Sequence, residues 1–138
     1  MQLDFDGLGG PQELYVPIDP VPASRPKVAR YGTYYSKRHQ QYIKDWTTWF
    51  GYAKPCWFYL GTERLVVSLE FVCMKPKTTK RESPRHDIDN LVKLPLDCMT
   101  SSDIFWKDDV QIEYLFASKR FARQKEEPHT RIKVFWIT

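Results

Sequence analysis

The chain has few of the features that mark secreted, membrane-bound or zinc-dependent proteins. Its 138 residues include only three cysteines, and none of them forms a CxxC pair, which argues against a zinc cluster or a disulfide framework. No apolar run approaches the roughly 20 residues that a membrane-spanning helix needs. The acidic N-terminus lacks the charged and apolar regions of a secretory signal. We therefore expect a cytoplasmic protein without a membrane partner.

The composition is that of a folded domain. Hydrophobic residues make up 42% of the chain and aromatic residues 15%, which excludes an intrinsically disordered protein. A chain of this length buries roughly two thirds of its unfolded surface when it folds. We expect residues 1–138 to form a single domain, with residues 1–12 as a flexible N-terminal extension.

Basic residues are concentrated in three segments, although the net charge of +4 is modest. Residues 25–44, 75–85 and 119–133 contain 17 of the 21 lysines and arginines. Such clusters attract a phosphate backbone, whereas solvated basic loops are the simpler interpretation of any one of them. The predicted DNA-binding residues are Arg25, Lys27, Arg30, Lys37, Lys75, Lys77, Lys80, Arg81 and Lys119.

Hydrophobic periodicity predicts an α+β fold with the element order strand, helix, strand, helix, strand, strand. The first strand lies around residues 13–18, and a proline-containing extended loop follows it. An aromatic stripe between Tyr42 and Phe50 predicts an amphipathic helix that faces the core. The last two strands, near residues 110–121 and 130–138, are expected to pair as a long hairpin. Pro95 should kink the second helix or divide it into short turns.

Acidic residues gather in two short stretches, HDIDNLVK at residues 86–93 and FWKDDVQI at residues 105–112. In an extended segment Asp87 and Asp89 share one face, and either Asp89 or Asn90 would cap the following helix. Like charges about 4 Å apart near a surface cost on the order of 4 kcal/mol per pair. A hard divalent cation such as Mg²⁺ or Mn²⁺ would relieve that repulsion, although chance surface pairs and a helix cap remain alternatives.

The two stretches taken together are a more specific signal than the spacing of their acidic residues alone. DIDNLVKLPLD followed by FWKDDVQI resembles the RusA family of Holliday junction resolvases, which carry a DxDN-x-x-K helix start and a later D-D-x-Q strand entry. The segment PASRPKVARYGTYYSKRHQQYIKDW looks like the basic loop and helix of that family, and the region from Lys119 to Phe135 fits its closing hairpin. The resemblance implies metal binding and catalysis by Asp87, Asp89 and Asp109 with Lys93, and secondary roles for Asn90, Asp97 and Asp108.

The same resemblance implies a compact α+β domain with a mixed β-sheet and two main helices that acts as a homodimer. Its expected activity is Mg²⁺-dependent cleavage of four-way DNA junctions by paired symmetric nicks in recombination and repair, with Mn²⁺ able to replace Mg²⁺. A bacterial or phage origin would follow. Two alternatives remain: a non-catalytic module that binds branched DNA, and a nucleotide-sugar transferase that uses the DxD motif. The chain has no glycine-rich phosphate loop to support the transferase.

Overall fold

A computed structural model describes residues 6–138 of the chain. Within that range it has six strands, two α-helices and one 3-10 helix, so the predicted α+β fold is confirmed. In chain order the elements are β1 (Gly9–Val16), β2 (Lys27–Ala29), β3 (Gly32–Tyr34), α1 (Lys37–Ala53), β4 (Leu65–Cys73), α2 (Ile88–Ser102), the 3-10 helix (Asp109–Gln111), β5 (Ile112–Phe121) and β6 (His129–Trp136).

The main sheet is mixed and has the strand order β1-β6-β4-β5. β6 is antiparallel to both β1 and β4, whereas β5 runs parallel to β4. The predicted hairpin of the last two strands is therefore wrong, because β4 lies between them. β4 is apolar and buried along most of its length, and a strand buried on both faces takes a central position with two partners. β5, with several exposed side chains, lies at the edge.

Both helices pack on one face of this sheet. Leu65, Val67, Leu69 and Phe71 alternate along β4 and are fully buried there, as the strand pattern predicts. From α1, Tyr42 and Trp46 enter the same core, which confirms the core-facing aromatic stripe for these two residues. The Trp46 indole also donates a hydrogen bond of 3.0 Å to the Ser102 hydroxyl at the end of α2, so the two helices are joined directly.

α2 is continuous through Pro95, and the expected division at that residue is wrong. A proline inside a helix removes one backbone donor and costs roughly 3 kcal/mol. Here the helix places a broad apolar face in the core, and the proline ring itself is buried there. Burial of each large apolar side chain contributes about 1.5–3 kcal/mol, so the packing of this face outweighs the missing hydrogen bond.

The first strand starts earlier than the sequence predicts. Gly9–Val16 pairs with β6, so residues 9–12, which the sequence assigns to a flexible extension, begin a strand of the sheet. The earlier part of that predicted extension, residues 1–5, lies outside the described residues. The predicted loop after β1 contains the short antiparallel pair β2–β3, whose residues are all exposed.

No helix within residues 6–138 is both long and apolar enough to cross a membrane.

Candidate active site

The start of α2 carries the first acidic pair. Asp87 occupies the N-cap position with φ −67° and ψ 132°, and its side chain makes no capping hydrogen bond. Asp89 lies inside the first helical turn, where the positive end of the helix dipole favours a carboxylate. The extended interpretation of residues 87–89 is therefore wrong, as is the assignment of the cap to Asp89 or Asn90. Asp87 therefore lies just outside the helix and Asp89 just inside it.

Three separate parts of the fold hold the backbone at this helix start. The Asp87 carbonyl accepts from the Leu91 N–H at 3.1 Å, which closes the first helical bond. The Asn90 carbonyl accepts from the Ala23 N–H at 2.8 Å, which anchors the segment after β1. From β5, the Lys119 ammonium donates to the His86 carbonyl at 2.7 Å. The residue before Asp87 is thus tied to the sheet.

One turn further along α2, Lys93 forms an ion pair with Asp97. The Lys93 Nζ lies 3.2 Å from the Asp97 Oδ2, which confirms that these two residues meet across Pro95. Both side chains are about half exposed, and an exposed i,i+4 pair of this kind adds only about 0.3–0.5 kcal/mol to stability. Its main effect is to restrain the direction of the Lys93 ammonium.

The second acidic pair precedes β5, and its two members have different surroundings. Asp108 caps the 3-10 helix and accepts the Val110 N–H at 3.1 Å. The Gln111 side chain closes the capping box by accepting the Asp108 N–H at 3.0 Å. The Val110 N–H is the main reason why the pKa of Asp108 lies below its ordinary value, followed by the hydrogen bond with Asp109. Asp108 therefore has a structural partner, in keeping with its predicted secondary role.

Asp109 links the second acidic stretch to the first. Its pKa is raised chiefly by the hydrogen bond with Asp108, then by burial and by the negative charge of that neighbour. The Asp97 carboxylate raises it further, while the Lys93 ammonium acts in the opposite direction. Since such charge effects require proximity, the Lys93–Asp97 pair and Asp109 lie in one electrostatic neighbourhood. Asp87 and Asp89 are not among the groups that shift Asp109.

The donor chemistry of these acidic residues fits Mg²⁺ or Mn²⁺. Asp87, Asp89 and Asp109 are all exposed and offer hard carboxylate oxygens. Across residues 6–138, however, no three histidine, cysteine or acidic side chains are arranged as a metal-binding group. The backbone of Asp89 precedes that of Lys93 by about 6 Å along the axis of α2, at a rise of 1.5 Å per residue. The ligand set that the sequence predicts therefore remains a prediction.

The predicted DNA-binding residues lie mostly on exposed segments of the chain. Arg25, Lys27 and Arg30 lie on the β2–β3 segment, and Lys37 is the first residue of α1. The loop between β4 and α2 carries the exposed side chains of Lys75, Lys77, Lys80 and Arg81. Lys119 differs from the others, because it is half-buried and its ammonium is bound to the His86 carbonyl. The fold therefore uses Lys119 to position the start of α2.

His39 is a residue of this region that the sequence gives no reason to select. It is buried on α1, its Nδ1 accepts the Ser24 N–H at 3.1 Å, and its ring stacks on Tyr35 with centroids 4.2 Å apart. Burial lowers its pKa, and the charges of Asp97 and Lys93 act on it in opposite directions. His39 and Asp97 line the same cavity between α1 and α2, and a single histidine gives no sequence pattern from which that placement could be predicted.

Comparison with known proteins identifies a family for most of the chain. A protein-family model described as Endodeoxyribonuclease RusA matches residues 17–135. The match starts immediately after β1, includes both acidic stretches, and ends inside β6. No curated protein matches the chain.

Proposed function

Because this chain belongs to the RusA family of endodeoxyribonucleases, we propose that it is a Mg²⁺-dependent enzyme that resolves four-way DNA junctions. It cuts two opposed strands by paired symmetric nicks and acts in recombination and repair. Mn²⁺ replaces Mg²⁺ in the same site. Of the three functions that the sequence leaves open, the family match favours the nuclease over a non-catalytic DNA-binding module or a nucleotide-sugar transferase.

The proposal depends most on one observation, the contact of α2 with the 3-10 helix, which brings the helix of the Lys93–Asp97 pair beside the element that starts at Asp109. These residues come from two stretches that are separated by a helix end and a turn. Metal-assisted cleavage of a phosphodiester uses carboxylates to hold the metal ion and a cationic side chain to offset the charge of the phosphate, so both kinds of group must lie at one place. The packing of α2 beside the 3-10 helix supplies that juxtaposition.

Asp87, Asp89 and Asp109 would hold the metal ion. When bound, the ion lowers the pKa of a coordinated water and stabilises negative charge on the phosphate. Lys93 donates a hydrogen bond to a non-bridging phosphate oxygen, and its ammonium offsets the charge that develops there. Asp97 keeps that ammonium in place through the 3.2 Å contact. Asp108 takes no part in the chemistry, since its carboxylate caps the 3-10 helix.

The basic loops would supply grip on the DNA backbone that does not depend on sequence. Selectivity for a junction would then come from the spacing of two such surfaces. A homodimer provides that spacing, because a two-fold axis relates two identical sites and presents them to opposed strands.

The experiment that tests the function is a strand-cleavage assay with Mg²⁺ on a synthetic four-way junction beside a linear duplex of the same sequence. We expect symmetric nicks in the junction alone, and none with Asp89→Asn. Asp103→Asn is the matched control, because Asp103 ends α2 at the opposite end from Asp87 and its left-handed backbone (φ 61°) suits asparagine. Tight junction binding without cleavage, in Mg²⁺ and in Mn²⁺, would overturn the proposal and favour a binding module.

A further inference from the structure

A second feature of the fold is a cavity beside the start of α2, and Arg81 is the one lining residue to which a DNA-binding role is assigned above. Its volume is about 330 Å³, near the lower end of the range for small-molecule sites. It lies where the parallel strands β4 and β5 end, and the start of α1 and the loop before α2 close it. The lining residues are Asp19, Arg38, Cys73, Met74, Pro76, Thr79, Arg81, Pro84, Arg85, His86 and Phe121.

The inner part of this cavity is apolar. Cys73 and Pro84 are buried and Phe121 is half-buried, so the cavity has a hydrophobic floor. Burial is the main cause that raises the pKa of the Cys73 thiol to about 11, and a thiol that stays protonated behaves as a small hydrophobic group. An apolar floor with an aromatic ring is a surface on which a planar base can pack.

The rim of the cavity is strongly basic. Arg38, Arg81 and Arg85 line it, with Asp19 as the one acidic lining residue. Within residues 6–138, none of the three guanidinium groups takes part in an ion pair. A guanidinium presents a planar set of donors that matches a phosphate group, so the rim complements an anion that the floor alone would not bind.

We propose that this cavity receives one unstacked nucleotide of the DNA, with its base on the apolar floor and its phosphate on the arginine rim. His86 lines the cavity and directly precedes Asp87. The nucleotide therefore flanks the phosphate that is cut, a placement that depends on the proposed function. Binding of the nucleotide itself does not depend on cleavage.

The first test uses the whole protein without metal. Deoxynucleoside 5′-monophosphates, deoxyribose 5-phosphate and inorganic phosphate are titrated separately, and backbone amide shifts of residues 73–86 are followed by NMR. We expect the mononucleotides to bind about tenfold more tightly than deoxyribose 5-phosphate, because only they carry a base to pack on the floor. Equal affinities would reduce the site to an anion site and overturn the proposal, as would the absence of mononucleotide binding.

Charge-removing variants locate the site. Arg38→Gln and Arg85→Gln should each weaken mononucleotide binding severalfold. Lys54→Gln is the matched control, since it removes one positive charge just after the far end of α1, roughly 24 Å along the helix from Arg38. An equal loss in all three variants would show non-specific attraction of the anion and would contradict a built site.

A second test places the nucleotide in the substrate. Single abasic residues are moved through the positions around the cut in a four-way junction, and the cleavage rate is measured. We expect one position where loss of the base slows cleavage by about tenfold. That position should lose its effect in Met74→Trp, where an exposed side chain at the rim is replaced by one that fills the cavity.

The outcomes separate this proposal from the nuclease function. Cleavage that is insensitive to every abasic position would leave the nuclease intact and overturn the nucleotide cavity. Mononucleotide binding that requires Arg38 and Arg85, in a protein that does not cut junctions, would support the cavity and overturn the nuclease.

Discussion

Each of the two acidic stretches of this protein places an aspartate at the cap of a helix, but the two caps are used differently. In the second stretch, the Asp108 carboxylate caps a 3-10 helix and its backbone N–H is bound by Gln111. In the first, Asp87 occupies the equivalent cap position of α2, but its carboxylate makes no capping bond. The same residue type at the same kind of position is therefore satisfied by the fold in one place and left available in the other.

This difference indicates which acidic residues are available for chemistry. A carboxylate that accepts backbone N–H groups lowers the energy of the fold and has fewer lone pairs left for a ligand. Asp108 belongs to that class, whereas Asp87 and Asp89 accept no capping bond and Asp109 is held near Asp97 by the fold. The four aspartates of the two stretches are thus one structural residue and three candidates for catalysis.

The largest expected effect separates Asp109 from its neighbour Asp108. Asp109→Asn should lower the rate of junction cleavage by roughly a thousandfold or more, since metal-assisted catalysis contributes several kcal/mol. Asp108→Asn should change it by less than about tenfold, because an asparagine oxygen also serves as an N-cap acceptor. Single-turnover cleavage rates at saturating protein measure both. Equal losses in the two variants would remove the distinction between a structural and a catalytic aspartate.

A smaller loss of cleavage rate is expected when Lys93 is replaced. Lys93→Met should slow cleavage by about 10²–10³-fold, the usual effect of removing one donor to a developing negative charge, with junction affinity nearly unchanged. Asp97→Asn should cost less, about tenfold, since it only releases the ammonium. Lys93→Arg is the matched control for charge. If Lys93→Met weakens binding as much as it slows cleavage, Lys93 is a backbone contact and not a catalytic donor.

The third effect is a loss of stability that we expect when the hydrogen bonds holding the second acidic stretch are removed. The Gln111 side chain makes four hydrogen bonds, with the backbone groups of Lys107, Asp108, Leu60 and Glu63. Gln111→Ala should lower the free energy of unfolding by about 2–4 kcal/mol, at roughly 1 kcal/mol for each bond. Urea denaturation measures this change. Gln40→Ala is the control, because Gln40 makes one exposed bond to the Tyr35 carbonyl, and a similar loss there would mean that the Gln111 bonds carry no special weight.

Local patterns predict much of this architecture because they depend on periodicity. The alternation along β4 and the aromatic stripe of α1 follow from which face is buried, and both are seen in the structure. Pairing between strands depends on residues distant in the chain, so the position of β4 between β5 and β6 could not be read from either strand alone. The continuity of α2 through Pro95 is also a tertiary effect, since burial of its apolar face overrides the local preference.

The candidate site is likewise predictable only in part. The motif identifies the acidic residues and Lys93, and an i,i+4 spacing is enough to predict the contact with Asp97. Nothing local predicts that Gln111 joins the 3-10 helix to two distant carbonyls, or that Lys119 binds the carbonyl before Asp87. These contacts cross between elements, and their residues are ordinary polar side chains until the chain is folded.

The smallest expected effect is a difference in the pH dependence of stability within the second pair. The raised pKa of Asp109 means that the folded state binds its proton more tightly than the unfolded state does, so the ionised carboxylate destabilises the fold at neutral pH. That penalty is relieved as the pH falls through the folded pKa towards the ordinary value of 3.8. Asp109→Asn should therefore raise the melting temperature at pH 7 in a chelator, and the gain should vanish below about pH 3.8.

Asp108 should show a different pH dependence. Its pKa is lowered by the Val110 N–H, so its ionised form stabilises the fold above 3.8, and that contribution is lost as the pH falls through the folded pKa. Asp108→Asn removes that contribution, but it also removes the charge that raises the pKa of Asp109, so we expect it to raise the melting temperature at pH 7 by less than Asp109→Asn does. Both shifts should be small, because exposed charges are screened by solvent. Thermal unfolding of the two variants between pH 3 and 7 compares them directly, and shifts of equal size would show that the two carboxylates do not differ in their structural use.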